Sequence, residues 1–116
     1  MSSKLYNMKF KDLYPNYINK ATRKNRSKEE VDEIIAWLFS YSKNELENIL
    51  KTDITVREFF IDIPLLNEDA SLIKGKICGV QIETIEDPLM KKIRYLDKLI
   101  DELAKGKSMD SILNRK

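Results

Sequence analysis

Apolar residues recur along this chain at helical spacing, and polar capping residues interrupt them. The firmest start lies at Ser27-Lys28-Glu29-Glu30. A serine three residues before a glutamate forms a capping box: the hydroxyl accepts from the Glu30 backbone N–H, and the Glu30 carboxylate reaches back. Val31, Ile34, Ile35 and Leu38 follow at a helical period, and Trp37 and Phe39 widen the stripe. Glu29, Glu30, Asp32 and Glu33 occupy the first turns, where the helix dipole favours acids. The same spacing recurs at Ser42 and Glu45, ahead of Leu46, Ile49 and Leu50. It recurs again at Thr55 and Glu58, around Val56, Phe59, Phe60 and Ile63. Pro64 should end that helix.

The longest helix opens at Asp87-Pro88, a good cap followed by the first helical position. Leu89, Ile93, Leu96, Leu99, Ile100, Leu103 and Ala104 form one stripe, and Gly106 is the stop. Ser108 caps a short tail with Met109, Ile112 and Leu113. The first third is less regular. Residues 2–7 read as a loose lead-in, and Asn7 as the cap of a turn holding Met8, Phe10 and Leu13. Pro15 reads as the first residue of a helix with Tyr17, Ile18 and Ala21 on its apolar side, and Asn25 as a left-handed terminator. Residues 67–71 form a polar turn. Segment 72–86 is ambiguous. Ile73, Ile77 and Val80 share a helical face, which favours a buried helix with Gly75 and Gly79 at a close crossing. Its β-branched content also permits a strand, which would need a partner across a dimer.

These elements predict one all-α domain over 1–116, a compact orthogonal bundle of five or six helices. Val31, Ile34, Ile35, Leu38, Phe59, Phe60, Ile93, Leu96, Ile100 and Leu103 should form most of its core. With 116 residues, 42% hydrophobic, the chain is long enough to bury that core without disulfides or a metal.

Composition narrows the chemistry. There is no histidine and one cysteine, Cys78. That excludes Ser-His and Cys-His nucleophile pairs, histidine ligands, and thiolate or mixed zinc sites within one chain. No Walker or dinucleotide fingerprint occurs, so no cofactor is expected. An oxygen-ligand Mg or Ca site stays open, without EF-hand spacing. Cys78, between Ile77 and Gly79, reads as a buried structural thiol. No apolar run approaches the roughly 20 residues of a membrane span, and no signal-peptide core opens the chain. A cytoplasmic protein is the expectation, with no membrane partner.

Charge is uneven despite a net of +2. Residues 1–28 carry eight Lys/Arg against one acid, a net of +7. Residues 29–90 carry five bases against fourteen acids, a net of −9; the remainder is +4.

Three stretches resemble a known family. They are Leu5-Tyr6-Asn7-Met8 through Tyr14-Pro15; Lys28-Glu29-Glu30-Val31-Asp32-Glu33-Ile34-Ile35 with Trp37-Leu38; and Cys78-Gly79-Val80 through Ile85-Glu86-Asp87-Pro88-Leu89-Met90 and Ile93-Arg94-Tyr95-Leu96-Asp97-Lys98-Leu99 to Asp101-Glu102-Leu103-Ala104-Lys105-Gly106-Lys107. In this order they resemble the small bacterial proteins catalogued as Domain of Unknown Function 2200. Many of those proteins have glycine where Asn25 stands and Thr-Gly where Phe39-Ser40 stands. The resemblance implies a largely helical fold and a bacterial source. It brings no activity, cofactor or catalytic residue.

Three sets of residues invite a functional reading. Arg94, Tyr95, Lys98 and Glu102 decorate the polar side of the last helix and could form an interaction face; salt-bridged solvation is the simpler reading of the charges. Lys20, Arg23, Lys24, Arg26 and Lys28 could hold a polyanion, with Tyr14 and Tyr17 near enough in sequence to stack on bases. Glu83, Glu86 and Asp87 could work as paired carboxylates or hold Mg, if they converge in a pocket. The leading expectation is a non-enzymatic helical interaction module, a homodimer or adaptor for an unknown protein partner. Nucleic-acid binding through 20–28 and a carboxylate site at 83–87 are the alternatives.

Overall fold

The computed structural model describes residues 2–115. Seven α-helices and one two-residue hairpin make up the described fold, so the all-α expectation holds. Helices α3 (Lys28–Phe39), α4 (Lys43–Ile49) and α5 (Val56–Ile61) begin at Ser27, Ser42 and Thr55, each with both bonds of its capping box formed. Helix α5 ends three residues before Pro64. The following loop then serves α3: Leu65 and Asn67 N–H groups donate to the Phe39 and Leu38 carbonyls, and the Asn67 amide donates to that of Trp37. These are the carbonyls that a helix end leaves without partners.

The first third departs from the sequence expectation. Ser2–Asn7 is a helix, α1, rather than a lead-in. Its Tyr6 hydroxyl donates to Asp87 at 2.7 Å, and the Arg57 guanidinium of α5 lies over the Tyr6 ring. The turn capped by Asn7 does not form. Instead Met8 and Phe10 exchange backbone bonds with Val56 and Ile54, an isolated antiparallel bridge. Helix α2 (Phe10–Thr22) then runs straight through Pro15. Only the bond to the Lys11 carbonyl is lost by that proline, and a mid-helix proline costs about 3 kcal/mol. Phe10, Tyr14, Tyr17 and Ala21 bury one face of α2. Burying Phe10 alone returns about 2–3 kcal/mol, so the stripe overrides the breaker. Asn25, at φ 62°, ends the helix as expected, with Arg26 N–H donating to Ala21 and Asn25 N–H to Thr22.

Segment 72–86 is not a buried helix. A 3-10 turn (Glu68–Leu72) leads to β1 (Lys76–Ile77) and β2 (Val80–Gln81), which pair antiparallel with Ile77 opposite Val80. The strand therefore finds its partner within the chain and needs none across a dimer, and no helix crossing forms at Gly75 and Gly79. The tip residues Cys78 and Gly79 have φ of 54° and 76°. Both being positive marks a type I′ turn, the form whose twist suits a two-residue hairpin. A right-handed helix cannot accommodate those angles. Cys78 at this tip is exposed, which overturns the buried-thiol expectation.

Helix α6 (Pro88–Ala104) is the centre of the fold, packed against α2, α3, α5 and the hairpin, and α7 (Met109–Leu113) folds back on it. Asp87 caps it, and Gly106 stops it at φ 98°. All ten residues expected in the core are buried to 1% exposure or less. Phe10 and Phe59 stack at 3.6 Å between ring centres, and Phe39 and Phe60 meet edge to face at 5.4 Å. Trp37 is only partly buried against this core. Among the described residues no helix is long and apolar enough to cross a membrane.

Candidate functional site

A groove of about 370 Å³ lies between α3 and α4. Its geometry follows from two caps. Ser27 and Ser42 fix where α3 and α4 begin, and Glu29, Asp32, Glu33 and Ala36 then fall on one helical face of α3. Leu46 and Glu47 of α4 face them across the groove, and Tyr41 closes the end. Tyr41 and Leu46 are buried, so the groove has an apolar floor. Tyr41 is fixed there by its hydroxyl, which donates to the Phe59 carbonyl at 2.7 Å.

The rim is acidic. Glu29, Asp32, Glu33 and Glu47 line it against two cations, Lys28 and Lys43. Lys28 is already engaged: its ammonium meets Asp32 at 2.7 Å and sits 5.9 Å from the centre of the Tyr14 ring. The hydrogen bond to Asp32 raises the Lys28 pKa, so it stays charged. Tyr14 donates its hydroxyl to the same carboxylate; burial, then Asp32, pushes its pKa up. In the sequence Glu29, Asp32 and Glu33 read only as dipole partners of α3. The signal was available in their i, i+3, i+4 spacing, which leaves most of them without a basic partner on the same helix.

The expected interaction face on α6 does not present four exposed side chains. Tyr95 is buried at 6% exposure and belongs to the core. Glu102 is buried as well, and holds Arg115 and Lys107. It makes no pair with Lys98, whose ammonium donates to the Lys76 carbonyl of the hairpin. Arg94 is half-buried and bonds Asp97 at 2.8 Å. Because the hairpin, α2 and α7 wrap α6, its polar side serves internal contacts.

The basic run is divided in the same way. Lys20 pairs with Asp101 at 3.2 Å and Lys28 with Asp32. Arg26 binds Glu30 and the carbonyls of Leu103 and Lys107. Arg23 and Lys24 make no ion pair among the described residues, and with Lys20 and Lys105 they border an open hollow at the C-terminal ends of α2 and α6. Helix C-termini carry partial negative charge, which these cations balance.

Glu83, Glu86 and Asp87 are all exposed. Glu83 accepts from the Gln81 amide and the Gly75 N–H, which together hold its pKa below the usual range. Asp87 accepts from Tyr6 and from the Leu89 N–H at the start of α6; the Tyr6 bond is the main cause of its lowered pKa. Among the described residues no three Cys, Asp or Glu side chains are grouped so as to hold a metal ion.

The chain is similar to the uncharacterized protein SP1917, whose crystal structure superposes with a TM-score of 0.94. The two are 46% identical, over 98% of this chain and 93% of the other. No curated protein matches it. The family profile of uncharacterized proteins conserved in bacteria, DUF2200, covers residues 4–114, and the chain belongs to that family.

Proposed function

We propose that the protein is a non-enzymatic interaction module, and that its α3–α4 groove takes a cationic segment of a partner protein. The observation that carries this reading is the pairing of an apolar floor, Tyr41 and Leu46, with a rim of four carboxylates and two lysines. A basic amphipathic segment would bury its apolar side on that floor and place Lys or Arg beside Glu29, Glu33 and Glu47. Rim charges of this kind govern encounter and specificity more than final affinity. A cytoplasmic setting belongs to the same reading.

The groove is favoured over the basic segment on simple grounds. Lys20, Arg26 and Lys28 already have internal partners. Arg23 and Lys24 alone neutralise about two phosphates, well short of the ~6–10 contacts of a typical DNA-binding surface.

Fluorescence anisotropy with a labelled peptide of alternating Lys/Arg and Leu at helical spacing tests the groove. Binding should weaken with salt and be lost in Glu29→Lys/Glu33→Lys/Glu47→Lys. It should survive Glu68→Lys/Glu86→Lys/Asp110→Lys, which changes net charge equally on other exposed positions. Equal loss in both variants would mean diffuse attraction and would sink the proposal. Light scattering separates a foreign partner from a second copy: a stable dimer that excludes the peptide would assign the groove to self-association instead.

A further inference from the structure

One corner of the α3–α4 groove already holds a cation, the chain's own Lys28. Its ammonium donates to Asp32 Oδ2 at 2.7 Å and lies 5.9 Å from the centre of the Tyr14 ring. The other Asp32 oxygen, Oδ1, accepts from the Tyr14 hydroxyl. A buried tyrosine therefore fixes the carboxylate, and its second oxygen serves the groove. The bond to Asp32, then the charges of Asp32, Glu29 and Glu47, keep Lys28 protonated. Carboxylates from both α3 and α4 thus face this one ammonium. A carboxylate bond beside an aromatic face is a general means of holding an ammonium or a guanidinium.

The two members of the pair are held unequally. The Asp32 side chain is 15% exposed and that of Lys28 50%. An exposed i, i+4 pair is a weak contact, so the lysine is released into water at little cost. Asp32 differs, because a half-buried carboxylate stripped of its cation loses more than it regains from water. An arginine from a bound segment removes that difficulty by replacing the lysine. Its planar fork bonds the carboxylate and lies over the tyrosine ring at once, which a second ammonium does less well. We infer that Lys28 is a built-in competitor for the groove, and that the Asp32–Tyr14 corner is the subsite of a partner arginine that displaces it. The inference rests on the groove reading above, to which it adds a preferred residue and a contact that restrains binding.

Helix α4 supplies a matched control. Lys43 follows Ser42 as Lys28 follows Ser27, so each lysine is the first helical residue after a serine cap, and both line the groove. Lys43 makes no ion pair among the described residues. Two labelled peptides of one helical spacing, Arg-Leu and Lys-Leu, are titrated by anisotropy. The Arg-Leu peptide should bind the parent protein more tightly than the Lys-Leu peptide. Lys28→Met should tighten Arg-Leu binding about fivefold, the release of one exposed pair. Lys43→Met should tighten it no more than about twofold, the effect of one screened charge. In an Asp32→Asn background the extra gain from Lys28→Met should vanish. On saturation with Arg-Leu peptide, the Lys28 side-chain amine resonance should move to the position of the solvated lysines. Equal gains from Lys28→Met and Lys43→Met, an extra gain that persists with Asp32→Asn, no preference for arginine, or an unmoved Lys28 resonance would each overturn the inference and leave the groove reading standing. Failure of both peptides to bind any of these proteins would overturn the two together.

Discussion

The Arg26 guanidinium donates to the Lys107 carbonyl at 2.7 Å, joining the turn after α2 to the end of α6 across 81 residues of sequence. It also donates to Leu103 and holds Glu30. A side chain that read as a polyanion ligand is thus a structural tie. Arg26→Ala should cost about 2–3 kcal/mol in urea unfolding, because its charge-assisted bonds to Glu30 and to the Leu103 and Lys107 carbonyls are lost together. Arg26→Lys should recover little, since an ammonium cannot reproduce the planar fork. Lys24→Ala should change stability by less than about 0.5 kcal/mol.

The same tie sets a pH dependence. Hydrogen bonds from Arg26, then from the Ser27 N–H, lower the Glu30 pKa from 4.5 to about 2. A carboxylate whose folded pKa is depressed contributes stability that is present above its unfolded value and lost as pH falls through the folded one. Stability should therefore fall between pH 4.5 and about 2. Glu30→Gln should be less stable at neutral pH and show a flatter decline across that window. Thermal melts of both proteins from pH 6 downward check this.

The hairpin tip makes a third expectation. Exposed Cys78 should react with a thiol reagent in the folded protein, without denaturant. Cys78→Asn should raise the melting temperature, because Asn-Gly suits a type I′ turn better than Cys-Gly. Gly79→Ala should lower stability by about 1 kcal/mol. Its φ is 76°, and a Cβ there would meet nothing within 4 Å, so the cost is backbone strain rather than collision.

What was legible in the chain was local. Ser27, Ser42, Thr55, Asp87 and Ser108 each announce a helix by a cap that needs only its own neighbours, and all five helices form. Helix α1 and the passage through Pro15 were not legible, because both depend on burial against distant elements. Tyr6 reaches Asp87, and Phe10 reaches Phe59. The hairpin was missed because its strands are two residues long, too short for alternation to show. The groove was half legible: spacing puts Glu29, Asp32 and Glu33 on one face of α3, but only tertiary packing brings Glu47 of α4 opposite them.

Two of the turns that end helices hold non-glycine residues in the left-handed region. Asn25 and Ser40 both have positive φ, at 62° and 66°. Asparagine tolerates that region better than serine does. Ser40→Gly should therefore stabilise the protein by about 0.5 kcal/mol, more than Asn25→Gly does, in parallel denaturation curves.

The most direct measurement of the central proposal is where a bound cationic peptide touches the protein. Amide NMR shifts on saturation with the Lys/Arg-Leu peptide should cluster at residues 29–36 of α3 and 41–47 of α4. Shifts centred on residues 20–24 and 105, or spread evenly over the acidic surface, would contradict it.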